Sequence, residues 1–160
     1  MTYYTWLDTP AGTLLLIGNG VAVTGMHWKI FSRSPAVSPD WTEDPTVFEP
    51  VIRQLREYFA GERTTFDFTY HFAGTEFQNQ VWQKLAAIPY GKKTSYQAIA
   101  TAIGRPKAVR AVGTAVGSNP LSIVVPCHRV LTSVDTLGGY AGGLDGKRVL
   151  LQTEAISFTE

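Results

Sequence analysis

The period of hydrophobic positions changes several times along this chain of 160 residues. Apolar residues crowd from Thr13 to Ile17 and from Val21 to Trp28, on either side of Gly18-Asn19-Gly20. Two such runs around an Asn-Gly turn predict an antiparallel hairpin. The spacing then becomes helical. Asp44-Pro45 offers a cap and a first-turn proline; Phe48, Ile52, Leu55 and Phe59 follow, and Gly61 ends the run. Phe66, Phe68, Tyr70 and Phe72 alternate with Thr65, Asp67, Thr69 and His71, which predicts a half-buried strand. Between hairpin and helix, Ser32 to Pro39 is a loop rich in Ser and Pro with no chemistry to read.

The rest of the chain reads mostly as helix. Phe77, Val81, Leu85 and Ile88 form one stripe, broken at Pro89-Tyr90-Gly91. Ser95 caps a short helix carrying Ile99 and Ile103 and ended by Gly104. Arg105-Pro106 restarts a helix to about Gly117. Two short helices around a glycine turn resemble a helix-turn-helix. On the second, Val109, Val112 and Val116 share an inward face, while Arg110, Gly113, Thr114 and Gly117 share another. Each helix-interior glycine costs about 1 kcal/mol relative to alanine. Either tight packing against the protein's own core or close approach to an outside surface would offset that cost.

Composition narrows the class. No apolar run reaches the ~20 residues of a membrane span. No charged n-region precedes an apolar segment at the amino terminus, so a cytoplasmic protein is expected. The single cysteine cannot close an internal disulfide, which suits a reducing compartment. The net charge of +1 hides an asymmetry: residues 1–75 hold 5 Lys/Arg against 8 Asp/Glu, and residues 76–160 hold 9 against 5. Residues 77–134 contain Lys84, Lys92, Lys93, Arg105, Lys107, Arg110 and Arg129 and no acid. A basic segment without acids suits a polyanion; the plainer reading is a solvated helical surface.

The lone cysteine lies in Val124-Val125-Pro126-Cys127-His128-Arg129-Val130. Ile123 to Val125 read as a buried strand, with Pro126 stiffening its exit. Thiolate is the reactive form of cysteine, and an adjacent base is a usual route to it at neutral pH. The plain alternative is a small buried hydrophobe.

Pro126-Cys127-His128-Arg129-Val130 resembles the active-site signature of the O6-alkylguanine-DNA alkyltransferases, the methylated-DNA–protein-cysteine methyltransferases. Ser95-Tyr96, Arg110-Ala111-Val112-Gly113, Asn119-Pro120, Tyr140-Ala141-Gly142-Gly143-Leu144 and Glu154 continue the resemblance in order, strongly over residues 75–155. It implies a two-lobed α/β protein. Residues 1–73 would form a small sheet-plus-helix lobe, ribonuclease-H-like in the family, and residues 74–160 a helical lobe with the helix-turn-helix and the active site. It implies irreversible transfer of an alkyl group from guanine O6, and possible action on O4-alkylthymine, to Cys127. The substrate is double-stranded DNA bound through the minor groove with the damaged base flipped out. Each chain acts once, without a cofactor, as a monomer that can cluster on DNA.

By the same resemblance His128 draws off the thiol proton, in the family through a water, and Glu154 orients that histidine. Without the family match Glu154 reads as a surface acid. Tyr96 donates to guanine, Arg110 fills the space left by the base, and Gly113 lets the helix approach DNA. Asn119 bridges that helix to the active-site turn. Tyr140 and Ala141 belong to a loop closing over the base, and Val130 and Ala141 contribute backbone hydrogen bonds. Arg129 is equally readable as a structural arginine or a DNA contact. Two departures stand out: Thr132 to Leu137 lacks the glycine often found there, and Ala141 stands where some relatives carry serine. With no second cysteine, and His27 and His71 isolated, a structural zinc is not expected. Competing readings are a non-catalytic alkylated-DNA binder, disfavoured by the cysteine itself; a cysteine hydrolase, which would leave the glycine-faced helix unexplained; and a helix-turn-helix regulator, which would need a dimer helix.

Overall fold

The computed structural model describes residues 1–160. Strands β1 (Tyr3–Thr9), β2 (Gly12–Gly18), β3 (Val23–Trp28) and β4 (Thr42–Glu43) form one sheet in the order β3-β2-β1-β4. The expected hairpin is β2–β3, with Leu14 opposite Trp28 and Leu16 opposite Met26. Asn19 builds its turn by accepting from the Val21 and Ala22 amides. Strand β1 was not legible from periodicity. Its buried positions are Thr5 and Leu7, whereas Trp6 is exposed, so its polarity does not track its burial.

Helix α1 (Glu49–Phe59) follows a 3-10 turn, Pro45–Phe48, whose Asp44 cap accepts from the Thr46 amide. Its fully buried residues include Val51, Leu55 and Tyr58 after Phe48; of the expected stripe Phe48 and Leu55 are fully buried, while Ile52 and Phe59 are half-buried at its margin because Val51 and Tyr58 take the inward positions beside them. The strand expected at Phe66–Phe72 is absent. The aromatics there are half-buried and their neighbours exposed, as the alternation requires, but the segment makes only one bridge, Tyr70 beside Val23. Period two reports which side chains face the core; a ladder also needs a free partner edge.

The second lobe holds α2 (Glu76–Ala86), β5 (Thr94–Ser95), α3 (Tyr96–Ala102), α4 (Val109–Gly117), β6 (Val130–Leu131) and α5 (Gly143–Thr153). Thr75 and Gln78 form a capping box on α2, and Ser95 caps α3 by accepting from the Ala98 amide. Gly104, at φ +78°, turns the chain between α3 and α4. The buried strand expected at Ile123–Val125 is also absent. Ile123 sits at φ +76°, and the Val124 and Val125 amides donate to Ser122 and Leu121 carbonyls in tight turns. An apolar run this short does not distinguish a strand from a buried turn. In the turn lacking glycine, Asp135 takes the left-handed conformation at φ +63°, which aspartate tolerates better than most residues.

One core spans both lobes. Leu16, Met26, Phe48, Leu55 and Tyr58 pack in the same cluster as Val81, Leu85, Val112, Leu121, Val125 and Cys127. Met26 is the seam: its amide donates to the Pro120 carbonyl at 2.8 Å, and its carbonyl accepts from Ser122 at 3.1 Å. No helix is long and apolar enough to cross a membrane.

Met26→Ala should therefore destabilise the protein by about 2–5 kcal/mol, the range for deleting a fully buried aliphatic side chain. Urea unfolding followed by tryptophan fluorescence and by far-ultraviolet dichroism should shift together. Separate midpoints for the two probes would show that the lobes unfold independently.

Candidate active site and nucleic-acid interface

Cys127 opens a 3-10 turn, Cys127–Arg129, directly after Pro126. It faces a cavity of about 380 Å³ also lined by Tyr96, Gly113, Asn119, Tyr140 and Ala141. Tyr96 reaches it from the first turn of α3 and Gly113 from the middle of α4. Asn119 ties the end of α4 to the chain before the cysteine. Its amide donates to the Val125 carbonyl at 2.7 Å, and its oxygen accepts from the Leu121 amide at 3.0 Å. Tyr140 is oriented by Trp28, whose indole N–H donates to its hydroxyl at 3.2 Å. Gly142 permits this packing, because a Cβ there would lie 3.0 Å from the Trp28 ring. Val130 does not line the cavity: its amide donates to the Cys127 carbonyl, and its own carbonyl accepts from Lys147.

Behind Cys127 lies a buried charge cluster centred on Glu154, at the C-terminal end of α5. Glu154 is no surface acid. It accepts from His128 Nε2 at 2.6 Å, Arg129 Nε at 2.7 Å, the Gly91 amide at 3.0 Å and the Tyr58 hydroxyl at 2.5 Å. Burial alone would raise its pKa; the hydrogen bond from His128 and the charge that ring carries once protonated, with hydrogen bonds from Arg129 and the Gly91 amide, more than reverse this and hold it at about 2. Burial lowers the His128 pKa against the opposing pull of Glu154, and the charges of Arg129 and Lys147 lower it further. We read the resting state as neutral imidazole beside a carboxylate neutralised by Arg129. Its Nε2–H then points to Glu154, and Nδ1, buried with no protein partner, keeps its lone pair. Burial likewise raises the Cys127 pKa, opposed by Asn119, the Lys147 charge and Tyr140. Cys127 therefore rests as a thiol with an imidazole beside it in sequence, not as a standing thiolate.

Arg129 is structural. It is 6% exposed and is spent on Glu154 and the Ile88 carbonyl. Sequence reasoning missed Tyr58 and Lys147. Tyr58 was hidden because its partner lies 96 residues away. Lys147 is fully buried and donates to the carbonyls of Val130, Leu137 and Gly139, pinning the closing loop to the signature segment. Burial lowers its pKa to about 8. A signal existed: Lys147, Leu150, Leu151 and Glu154 share one stripe of α5, all buried, and two of them are charged.

The outer face of α4 is bare. Arg110 and Thr114 are exposed. A Cβ added at Gly117 would meet nothing within 4 Å, and one at Gly113 only Tyr96 Cδ1 at 3.9 Å. Packing against the protein's own core therefore requires neither glycine. Of the seven cations between residues 77 and 134, Arg129 is buried and the other six are exposed. Lys93 is paired with Asp135; Lys84, Lys92, Arg105, Lys107 and Arg110 make no ion pair.

A family model described as the 6-O-methylguanine DNA methyltransferase DNA-binding domain matches residues 76–156, and one for the ribonuclease-like domain of the same family matches residues 2–71. A methylated-DNA–protein-cysteine methyltransferase of Mycobacterium tuberculosis is 46% identical over 96% of this chain and 93% of its own length. One of Methanosarcina barkeri is 41% identical over 95% and 96%. The crystal structure of Mycobacterium tuberculosis OGT in complex with DNA superposes with a TM-score of 0.91 at 45% identity, covering 96% of this chain and 93% of the other.

Glu154→Ala should destabilise the fold by about 3–5 kcal/mol, because the Arg129 charge stays buried without its partner. Glu154→Gln should show the pH signature. The folded carboxyl titrates near 2 against an ordinary 4.5, so its contribution is present above about pH 4.5 and lost as pH falls toward 2. Urea midpoints measured across that window should fall more steeply for the wild type than for Glu154→Gln. Parallel slopes would mean the carboxylate is not held down in the fold.

Proposed function

The chain belongs to the 6-O-methylguanine DNA methyltransferase family, and on that premise we propose that it repairs O6-alkylguanine in DNA by moving the alkyl group irreversibly onto Cys127. The observation that carries this reading is one juxtaposition. Cys127 faces a cavity, the His128–Glu154 pair lies behind it, and the open glycine face of α4 adjoins it.

The target carbon sits inside a duplex, so the nucleotide has to be extruded at a cost of a few kcal/mol. The bare face of α4 enters the minor groove, where Gly113 and Gly117 allow close approach. Arg110 takes the space the base leaves, and the unpaired lysines and arginines hold phosphates. The base enters the cavity between Tyr96 and the 138–142 loop. His128 Nδ1 takes the thiol proton, through a water as the family resemblance implies, and the imidazolium is stabilised by Glu154. Sulfur attacks the alkyl carbon, the C–O6 bond breaks, and the electron pair leaves on guanine. Donation from the Tyr96 hydroxyl lowers the energy of that leaving group. The same displacement applies to O4-alkylthymine, whose alkyl carbon is also bound to an exocyclic oxygen. The product thioether has no ordinary reductive exit, so each monomer acts once.

Incubation with O6-methylguanine DNA should add one methyl mass to Cys127 and then stop; the free cavity of Cys127→Ser should still bind DNA without any increment. Methyl transfer at normal rate in Cys127→Ser would overturn the mechanism. Arg110→Ala should slow repair of duplex DNA by roughly tenfold or more, the worth of one stacking or charge contact, while sparing reaction with free O6-benzylguanine. Equal losses on both substrates would place Arg110 in support of the pocket instead.

A further inference from the structure

The loop after β3 reaches the active site. Phe31 and Arg33 line the Cys127 cavity, although both belong to the first lobe. The loop is a hydrogen-bonded turn: the Phe31 amide donates to the Trp28 carbonyl at 3.1 Å, and the Ser34 hydroxyl donates to the same carbonyl at 2.7 Å. Trp28 in turn holds Tyr140, so this wall and the closing loop share one anchor. A second cavity of about 170 Å³ adjoins the first and shares Phe31, Arg33, Gly117, Asn119, Ser122 and Ala141 with it. The small Ala141 and Gly117 are among its lining residues.

Arg33 is the only arginine or lysine lining either cavity, and no aspartate or glutamate lines them. The guanidinium makes no ion pair in the protein; its neighbour is the Phe31 ring, 5.1 Å from centroid to Cζ. His27 lines the second cavity too, and burial lowers its pKa, so it adds a polar neutral group there. An anion entering this compartment meets one free cation and no opposing carboxylate. A neutral alkyl chain gains nothing from Arg33.

We propose that the loop after β3 builds a second compartment of the base site which accepts O6 substituents ending in a carboxylate, with Arg33 as the recognising residue and Phe31 as its wall. The inference rests on the alkyl-transfer reading above and deepens it. For an O6-carboxymethyl group the step balances as for methyl: the Cys127 S–CH2 bond forms, the C–O6 bond breaks, the pair leaves on guanine, and the thiol proton goes to His128. The carboxylate is unchanged and ends on the sulfur as S-carboxymethylcysteine.

The experiment compares single-turnover rates on duplexes carrying O6-carboxymethylguanine and its neutral isostere, O6-carbamoylmethylguanine, for wild type, Arg33→Gln and Arg33→Lys. The wild type should favour the carboxylate. Arg33→Gln should lower the carboxymethyl-to-carbamoylmethyl ratio by about tenfold, what one charge-assisted hydrogen bond is worth, and Arg33→Lys should keep most of it. Taking a ratio cancels any loss common to both duplexes. If Arg33 grips a DNA phosphate instead, both rates fall together, the ratio holds and the salt dependence of binding flattens; the proposal is then wrong. An unchanged ratio with unchanged rates overturns it as well. Failure of the wild type to methylate Cys127 from O6-methylguanine DNA would instead sink the parent reading, so the two failures are distinguishable.

Discussion

The carboxylate of Glu154 is the interaction on which the site depends. It is buried at the end of α5, and it receives donors from three separate parts of the chain: Tyr58 on α1, Gly91 in the turn after α2, and the His128-Arg129 pair after the cysteine. A carboxylate taken out of water is tolerated only with a full set of such partners. Once all are present, the geometry of His128 follows: Nε2 is committed to Glu154, so only Nδ1 can serve a reacting group.

That arrangement leaves the thiol and the imidazole uncharged at rest. Burial keeps Cys127 a thiol and His128 an imidazole, while Arg129 neutralises the carboxylate. In the reaction proposed above, charge separates when the thiol proton moves, and both new charges would then meet prepared partners: Glu154 beside the imidazolium, Lys147 near the sulfur. A preformed environment of this kind costs little reorganisation during reaction. Lys147 also links this electrostatics to the closing loop, because the carbonyls it holds belong to Val130, Leu137 and Gly139.

The first lobe takes part in the site. Tyr58 completes the Glu154 set, Trp28 orients Tyr140, and Phe31 and Arg33 wall the cavity. The two lobes also share one core, joined at Met26 and Leu121. Opposite this support, the α4 face is left smooth. Its glycines meet almost nothing of the protein itself, which fits a surface kept clear for another molecule.

Residue type and spacing along the chain encode the local pieces: the β2–β3 hairpin, the capped helices, the glycine-ended α3, the acid-free basic segment, and Cys127 next to His128. Each depends on neighbours within about one or two turns, where residue type and spacing carry the information. Glu154 was singled out only through resemblance, since a glutamate at a helix end is ordinarily solvated. Tertiary structure decided the rest. It placed Tyr58 and Lys147 in the buried network, turned Arg129 inward, made the Phe66–Phe72 alternation a bridge without a ladder, and bent Ile123–Val125 into turns. It also brought the Ser/Pro loop, unreadable as chemistry, to the mouth of the Cys127 cavity. These outcomes depend on partners far away along the chain and on which edges and faces remain free after the core closes, and no local pattern encodes either.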